Sequence, residues 1–218
     1  MSPDPPLPRI LAATFNPGKA RELRRLLAAA GAETLTLSDL GIREPFEETG
    51  GTYEENARAK AAHYAAQAGI AAVADDSGLE VEALGGRPGV LSARYGGPDA
   101  DDAARCRLLL KEMAGVPGER RTARYVTVAA LARPGRGAAA ETRLFRATCA
   151  GRIAMEMRGA RGFGYDPIFH YPPFGATFGE IDDARKDRVS HRGLAFAAVA
   201  SFLMTPIGLD FLRTDLRD

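Results

Sequence analysis

Residues 9–31 carry the pattern of an apolar strand that turns directly into a helix. RILAATF is largely apolar, which is typical of a buried strand. In the following ARELRRLLAAA, the side chains of Leu23, Leu26 and Leu27 share one helical face. Asn16 suits the N-cap of that helix, because its side chain can accept a hydrogen bond from a free backbone N–H group of the first turn. The segment therefore predicts a strand followed by a capped helix.

The same alternation continues along the chain. ETLTLSDL reads as a strand, and TYEENARAKAAHYAAQAG as a helix that Thr52 and Glu55 open with a capping box. IAAVADD and LEVEAL read as two short strands, and DADDAARCRLLLKEMAG as a third helix. RTARYVTVAALARPG and ETRLFRATCAGRI predict a hairpin that turns near Gly135 and Gly137. After the loop RGFGYDPIFHYPP, a helix over 190–204 ends the chain. This order predicts an α/β protein whose sheet mixes parallel and antiparallel strands.

The composition is that of an ordinary globular protein. Its 218 residues are 45% apolar and 26% charged, which is enough for one sizeable core. We expect a flexible leader at 1–8 and a single domain over 9–218. The longest apolar stretch, 194–204, is shorter than the ~20 residues that cross a bilayer, so we expect no contact with a membrane.

Charge and cysteine content limit the expected binding partners and the expected cellular compartment. The formal net charge of +1 provides no broad basic field, so we expect no nucleic-acid partner. Cys106 and Cys149 are far apart and lack the spacing of metal ligands. We expect two reduced thiols in a cytoplasmic protein.

TFNPGKARE at 14–22 is a candidate phosphate loop. A strand that turns through Asn-Pro-Gly-Lys into a helix directs free N–H groups and Lys19 at whatever lies in front of it, which favours phosphate. It lacks the longer glycine-rich turn and the hydroxyl residue of a Walker A motif. The alternative is an ordinary capped helix with a solvated lysine.

EETGGTYEENARAKA at 47–61 is a candidate cation-binding segment. Glu47 and Glu48 precede the helix in a glycine-containing loop, where they could hold a divalent cation. Asn56 and Lys60 lie four residues apart and therefore share a helical face. A capped surface helix with solvated charges is the alternative.

Lysine and asparagine are scarce and are concentrated in these segments. Only four of the 29 cationic residues are lysines, and the only two asparagines are Asn16 and Asn56. Three of the four lysines, Lys19, Lys60 and Lys186, fall in candidate segments. Residue types that are nearly absent elsewhere suggest a chemical role that arginine cannot fill.

VADDSGLEV at 73–81 runs from an apolar strand into two adjacent acids. A carboxylate where a strand ends can hold Mg²⁺ and accept a proton from water. Because strand side chains alternate, we expect one of Asp75 and Asp76 to face a ligand and the other to anchor the turn or a neighbouring cation. Ser77 adds a hydroxyl and Gly78 an approachable backbone. The alternative is an Asp-Asp-Ser-Gly turn between two strands.

GFGYDPIFHYP and KDRVSHRG form a candidate site for a flat ring. Phe163 and Tyr165 lie among glycines, as in an aromatic platform, and Asp166 can accept hydrogen bonds from ring N–H groups. Further donors that could bind a ring carbonyl are Lys186, His191 and Arg192. The alternatives are core packing for the aromatic residues and helix capping by Ser190.

In this order, the segments resemble the inosine triphosphate pyrophosphatase family. The similarity runs from Ile10 to Phe202 through TFNPGKARE, EETGGTYEENARAKA, ADDSGLEVEALGGRPGVLSARYGG, GFGYDPIF, and TFGEI with KDRVSHRG. The resemblance implies an elongated two-lobed α/β fold with a long central mixed sheet flanked by helices, a homodimer and dependence on Mg²⁺. It also implies hydrolysis of ITP, dITP and XTP to the monophosphate and pyrophosphate, which removes deaminated purines from the nucleotide pool.

The resemblance also implies roles for individual residues. Asp76 looks like the catalytic proton acceptor, and Glu47 and Asp76 look like metal ligands. Contacts to the triphosphate are implied for Thr14, Asn16, Lys19 and Lys60. Contacts to the substrate are also implied for Phe15, Pro17, Gly18 and Ser77. Contacts to the base are implied for Phe163, Gly164, Tyr165, Asp166, Lys186, His191 and Arg192. The family usually has glycine where Phe15 stands, so the chain departs from the family pattern in the phosphate loop.

Two other classes of protein stay open at this point. A phosphotransferase would use the same loops but transfer the γ-phosphoryl group, although the missing Walker motif counts against it. A nucleotide-sensing module would bind the same ligand and leave it intact.

Overall fold

The computed structural model describes residues 7–134 and 141–213. The predicted leader at 1–8 therefore lies mostly outside the described residues, as does the predicted hairpin turn at Gly135 and Gly137. Strands and helices follow one another in the order β1 (Arg9–Ala12), α1 (Pro17–Leu27), β2 (Glu33–Thr36), α2 (Tyr53–Ala68), β3 (Ala72–Val81), α3 (Asp102–Glu112), β4 (Thr122–Ala132), β5 (Thr142–Ile153), β6 (Phe169–Tyr171), β7 (Ala176–Thr177), α4 (Asp183–Val189), α5 (His191–Leu203) and α6 (Pro206–Leu212).

The strands form one mixed sheet in the order β2-β1-β3-β4-β5-β6-β7. β1 pairs in parallel with β2 and with β3, whereas β6 pairs antiparallel with β5 and β7. The N–H of Arg133 donates to the carbonyl of Glu141, and the N–H of Ile153 donates to that of Arg121, so β4 and β5 run antiparallel. The predicted α/β class with a mixed sheet is confirmed.

The described residues cluster into two compact units. Among the described residues, the first comprises 7–76, 128–134, 141–145 and 195–213, and the second comprises Ser77–Thr127 and Arg146–Leu194. In the first, buried residues of β1 and α1 such as Ile10, Leu11 and Leu23 form part of the core.

The core of the second unit has its own aromatic cluster. Tyr125, Phe169 and Phe178 lie within 4.5 to 6.2 Å of one another by ring centroid. Cys106 and Cys149 are both free and buried, as expected for reduced thiols, and burial raises the pKa of each thiol to about 12. Neither thiol is therefore a ready nucleophile near neutral pH.

The helix ends follow the local signals in the sequence. The Asn16 side chain caps α1 by accepting from the Lys19 N–H, and Thr52 and Glu55 form the predicted capping box on α2. The predicted start of α5 is also confirmed, since the Ser190 hydroxyl accepts from the Gly193 N–H at 3.0 Å. These ends form where expected because capping depends only on residues three or four positions apart.

Elements that depend on distant partners depart from the predictions. IAAVADD and LEVEAL form one continuous strand, β3, rather than two strands around a turn. Part of the predicted loop after Gly164 forms β6, which pairs with β5 and β7. The chain also continues past the predicted last helix into α6. Sheet pairing and packing override the turn propensity of Asp-Ser-Gly. The backbone N–H and C=O groups of this segment find hydrogen-bond partners in the neighbouring strands, so no turn is needed to pair them.

No single helix in the described ranges is long and apolar enough to cross a membrane. Only the consecutive pair α5 and α6 passes that test of length and composition together, with a 93° bend between the two helices.

Gly193 sets the close approach of the α5 N-terminus to the end of α4. A Cβ built at Gly193 would lie 1.9 Å from the carbonyl oxygen of Asp187, which a side chain cannot occupy. We predict that Gly193→Ala lowers the free energy of unfolding by about 1–3 kcal/mol, because α5 must move away from this carbonyl. Urea denaturation monitored by circular dichroism measures the change.

Gly118→Ala is the matched control, because a Cβ at Gly118 meets nothing within 4 Å. Its effect should stay within about 0.5 kcal/mol of wild type. Equal effects of the two substitutions would show that the Asp187 carbonyl does not restrict position 193.

Candidate functional site

The β1–α1 loop places the predicted phosphate-binding residues at the start of a helix. The Ala13 N–H still pairs with Val73 of β3 at 2.8 Å, and α1 begins at Pro17. Between them, the Thr14 hydroxyl accepts from the Asn16 N–H at 3.2 Å, and the Asn16 side chain accepts from the Lys19 N–H at 3.0 Å. Asn16 and Pro17 are exposed, Gly18 is buried and Thr14 is half-buried. The loop is thus shaped by its own side chains.

Two lysines from different helices converge on Asp75. Lys19 of α1 forms an ion pair with the Asp75 carboxylate at 2.9 Å, and the carboxylate itself has no exposed surface. Lys60 of α2 donates to the main-chain carbonyl of Asp75 at 2.9 Å. Lys60 also pairs with the Glu48 carboxylate. The prediction that one of the two adjacent acids anchors a neighbouring cation is therefore confirmed for Asp75.

Asp76 has a different partner from its neighbour. Its Oδ2 accepts from Asn56 Nδ2 at 2.9 Å, and the residue is 5% exposed. Burial raises the pKa of the Asp76 carboxyl and Glu48 raises it further, while the Asn56 hydrogen bond and the ammonium groups of Lys19 and Lys60 lower it. The net raised pKa makes this carboxylate a better proton acceptor than an exposed aspartate.

The sequence suggested that the two acids mark the end of a strand, but the structure places them inside one. Asp75 and Asp76 lie in the middle of β3, but the parallel pairing with β1 reaches only Val73. Beyond that point β1 gives way to its loop, and the lysines of α1 and α2 contact β3 instead. It is the end of the neighbouring strand that exposes the acids to these side chains.

Of the two adjacent acids Glu47 and Glu48, Glu48 is the one that contacts the lysine cluster. It is half-buried, pairs with Lys60 and raises the pKa of Asp76, whereas Glu47 is exposed. The two acids are adjacent and chemically alike, so spacing alone could not separate them. Asn56 was also missed as a partner of Asp76, although its rarity in the chain was a signal.

The oxygen donors in this cluster suit a hard divalent cation. Across 7–134 and 141–213, no three His, Cys, Asp or Glu side chains come together as a ready-made metal site. Mg²⁺ ordinarily uses one or two carboxylates and takes its other ligands from phosphate and water. Asp76 and Glu48, whose carboxylates interact through space, fit that donor set.

A second cluster lies in the other unit and is built on Asp166. Asp166 Oδ2 accepts from Lys186 Nζ at 2.6 Å and from the Phe163 N–H at 2.9 Å, and both charged side chains are 3% exposed. Gly162 makes this possible, because a Cβ there would lie 2.0 Å from Asp166 Oδ2. The Gly164 N–H is held by Asp102 of α3 at 2.7 Å. The predicted Phe163–Asp166 run is therefore a fixed loop.

Two cations lie near the ring of Phe163. Lys186 Nζ lies 5.0 Å and Arg192 Cζ 5.3 Å from its centroid, within the range of cation–π attraction. Arg192 also donates to the Ser77 hydroxyl at 3.0 Å. Five predicted base-pocket or substrate residues, Phe163, Asp166, Lys186, Arg192 and Ser77, are thus linked within one unit.

Two of the predicted ring-binding residues, Tyr165 and His191, are buried. The Tyr165 hydroxyl donates to the Ser92 carbonyl at 2.9 Å, and its side chain is buried in the aromatic core, which was the alternative interpretation. Phe163, the other aromatic residue of the predicted platform, is half-buried. His191 is likewise buried and stacks on Tyr125 with centroids 4.3 Å apart.

Comparison with known proteins gives one consistent result. A model of the Ham1 family matches residues 10–202. The dITP/XTP pyrophosphatase of Exiguobacterium sibiricum is 44% identical over 200 residues, which cover 92% of this chain and 99% of that protein. The dITP/XTP pyrophosphatase of Thermus thermophilus is 49% identical over 191 residues, which cover 88% of this chain and 89% of that protein.

Solved structures agree with the sequence relatives. A HAM1 protein from Coxiella burnetii superposes with a TM-score of 0.79 at 37% identity, covering 89% of this chain and 98% of that one. A nucleoside-triphosphatase / dITP/XTP pyrophosphatase from Mycobacterium abscessus superposes with a TM-score of 0.68 at 42% identity, covering 90% and 100%.

The buried Lys186–Asp166 pair generates a stability prediction. Lys186→Met removes the ammonium from a carboxylate that is almost fully buried. We expect the free energy of unfolding to fall by about 3–5 kcal/mol, the usual cost of breaking a buried ion pair from one side. Guanidinium denaturation measures it.

Lys111→Met is the matched control, because Lys111 is an exposed lysine of α3. Its effect should stay within about 0.5 kcal/mol. A Lys186→Met variant as stable as the Lys111→Met variant would contradict the importance of the pair.

Proposed function

This chain belongs to the Ham1 family, and we propose that it hydrolyses aberrant purine nucleoside triphosphates, namely ITP, dITP and XTP, to the monophosphate and pyrophosphate. Relatives at 44% and 49% identity that carry the name dITP/XTP pyrophosphatase support the substrate class. The observation that carries the mechanism is the pair of adjacent acids on β3, one held by lysine and the other by asparagine. By this chemistry, deaminated purines leave the nucleotide pool as monophosphates.

Asp76 is the proton acceptor in this proposal. A water oxygen bonds to the α-phosphorus while the bond from that phosphorus to the bridging oxygen of the β-phosphate breaks, and Asp76 takes the proton of the water. The raised pKa of Asp76 suits this role, because a base is most effective when its pKa approaches the working pH. Lys19 and Lys60 supply the positive charge that offsets the charge gained by the leaving pyrophosphate.

Asp76 and an acid of the 47–48 loop would hold Mg²⁺. The ion, when bound, would neutralise charge on the triphosphate oxygens. Glu47 is the ligand that the family resemblance suggested, and Glu48 is the acid that interacts with Lys60 and Asp76. We therefore propose Glu48 as the stronger candidate of the two.

The Asp166 cluster is the proposed base-binding region. Phe163 offers a ring face for stacking, and Arg192 offers donors for the 6-oxo group of hypoxanthine or xanthine. Adenine carries an amino group at that position, which would leave buried donors without acceptors and so disfavour it strongly. Gly164, Tyr165 and His191 would act by holding this region in shape.

Phe15 is the one departure from the family pattern in the phosphate loop. The residue is 44% exposed, and its ring meets that of Tyr64 of α2 edge-on, with centroids 6.3 Å apart. The contact packs the bulky side chain against α2, and we propose that the loop keeps its phosphate-binding role.

Further properties are proposed from the resemblance and the composition. We propose a homodimer of single domains beginning at residue 9, acting in the cytoplasm on small nucleotides, without nucleic-acid or membrane partners. Analytical ultracentrifugation tests the dimer directly.

Product analysis tests the reaction itself. We expect wild-type protein with Mg²⁺ to convert dITP or ITP to the monophosphate and pyrophosphate, to act far less on ATP and GTP, and to stop in EDTA. Asp76→Asn should remain folded, since its side-chain oxygen still accepts from Asn56, and should lose turnover by several orders of magnitude because the proton acceptor is gone.

The products distinguish the rival classes. A diphosphate with free phosphate would place the attack at the γ-phosphorus and favour a phosphohydrolase or transferase. Intact nucleotide with measurable binding would indicate a sensing module, and near-normal turnover by folded Asp76→Asn would remove that residue from its catalytic role.

The neighbouring acids Glu47 and Glu48 allow a matched test of the metal ligand. We predict that Glu48→Gln raises the Mg²⁺ concentration for half-maximal turnover at least about tenfold, because a carboxylate ligand and its charge are lost. Glu47→Gln, one residue away and exposed, should change it little. A larger effect of Glu47→Gln than of Glu48→Gln would indicate that Glu47 is the metal ligand.

A further inference from the structure

Asn56 uses both ends of its amide inside the protein. Its Nδ2 donates to Asp76 Oδ2 at 2.9 Å, and its Oδ1 accepts from the Gly50 N–H at 2.8 Å. The residue is 1% exposed, and its bond to Asp76 is buried. A primary amide is the neutral side chain that offers a donor and an acceptor from one planar group, so few residues could make both contacts.

The glycine loop is built against this amide. A Cβ at Gly50 would lie 2.7 Å from Asn56 Oδ1 and 2.8 Å from Glu55 Cβ, so the backbone there rests directly on α2. Glu48 lies two residues before Gly50 and pairs with Lys60, one helical turn after Asn56. Asn56 therefore connects the segment that carries Glu48 with the strand residue Asp76.

A hydrogen bond to a buried carboxylate fixes its orientation. The low local dielectric strengthens the bond, and breaking it would let the carboxylate rotate about its side-chain torsions. A proton acceptor must lie within hydrogen-bond reach of the attacking water, so a small rotation lowers the rate of the chemical step more than the affinity for substrate.

We propose that Asn56 is a positioning residue for the reaction: its amide orients the Asp76 carboxylate. This inference rests on the proposed function, because it assigns Asn56 an effect on turnover. Asn56 acts through its hydrogen bonds to Asp76 and Gly50, and we assign it no contact with the substrate.

Two substitutions separate the two contacts of Asn56. Asn56→Asp keeps the size and the acceptor for the Gly50 N–H but replaces the donor to Asp76 with a second carboxylate. Asn56→Leu removes both contacts. We expect Asn56→Asp to lower kcat for dITP by about 10- to 100-fold, the range of a hydrogen bond to a charged group, while KM stays within about threefold.

Glu55→Ala is the matched control on the same helix. It removes the hydrogen bonds from Gly51 and Thr52 to the Glu55 carboxylate, which loosens the same loop without a contact to Asp76. We expect its kcat to stay within about threefold of wild type. An equal loss of kcat in Glu55→Ala would overturn the proposal, since general loosening of the loop would explain both results.

The remaining kinetic outcomes are also decisive. If folded Asn56→Asp has a near-normal kcat and only Asn56→Leu loses activity, the proposal that Asn56 orients Asp76 is overturned. Asn56 would then serve only to hold the loop at Gly50. A raised KM with unchanged kcat would overturn it as well, because Asn56 would then be a binding residue.

A stability measurement separates this inference from the proposed function. Thermal unfolding of Asn56→Ala, Asp76→Ala and the double variant forms a double-mutant cycle that needs no activity. If wild-type protein yields no pyrophosphate, the proposed function fails, and the cycle still decides the pairing. Changes in Tm that are not additive support the Asn56–Asp76 hydrogen bond, and additive changes contradict it.

Discussion

The convergence of two lysines on Asp75 is the interaction on which the candidate site depends. Lys19 and Lys60 come from different helices, α1 and α2, and both reach the same residue of β3. An ammonium group next to a buried carboxylate must be paired, or the cost of removing the charge from water is not recovered. The pairing therefore fixes where the two helices present their cations, and it does so before any anionic ligand is bound.

This arrangement also explains why two adjacent acids differ in their chemistry. Asp75 carries the charge that balances Lys19, whereas Asp76 is held by the neutral amide of Asn56 and lies near Glu48. Burial and a like charge raise the pKa of Asp76, and the two ammonium groups offset part of that effect. One acid is thus structural and the other is suited to accept a proton, although both have the same side chain.

The second unit also contains a buried ion pair, which here supports the loop that carries Phe163. Lys186 and Asp166 form a buried pair, and the cations of Lys186 and Arg192 lie over the ring of Phe163. The glycines of the loop allow the carboxylate to approach the backbone, so Asp166 stabilises the turn that presents Phe163. Rigid support of this kind suits recognition of a planar ring, because little conformational freedom remains to be lost on binding.

The sequence by itself determined the α/β class, the helix caps at Asn16, Thr52 and Ser190, and the segments from which the candidate residues come. These features depend on periodicity and on hydrogen bonds between residues three or four positions apart, which a linear pattern records. Only the tertiary structure decided that β3 continues through Asp76, that Tyr165 is a core residue, and that Glu48 rather than its neighbour Glu47 contacts Lys60. Each of these outcomes depends on partners far away in the chain, whose packing and pairing outweigh local propensity.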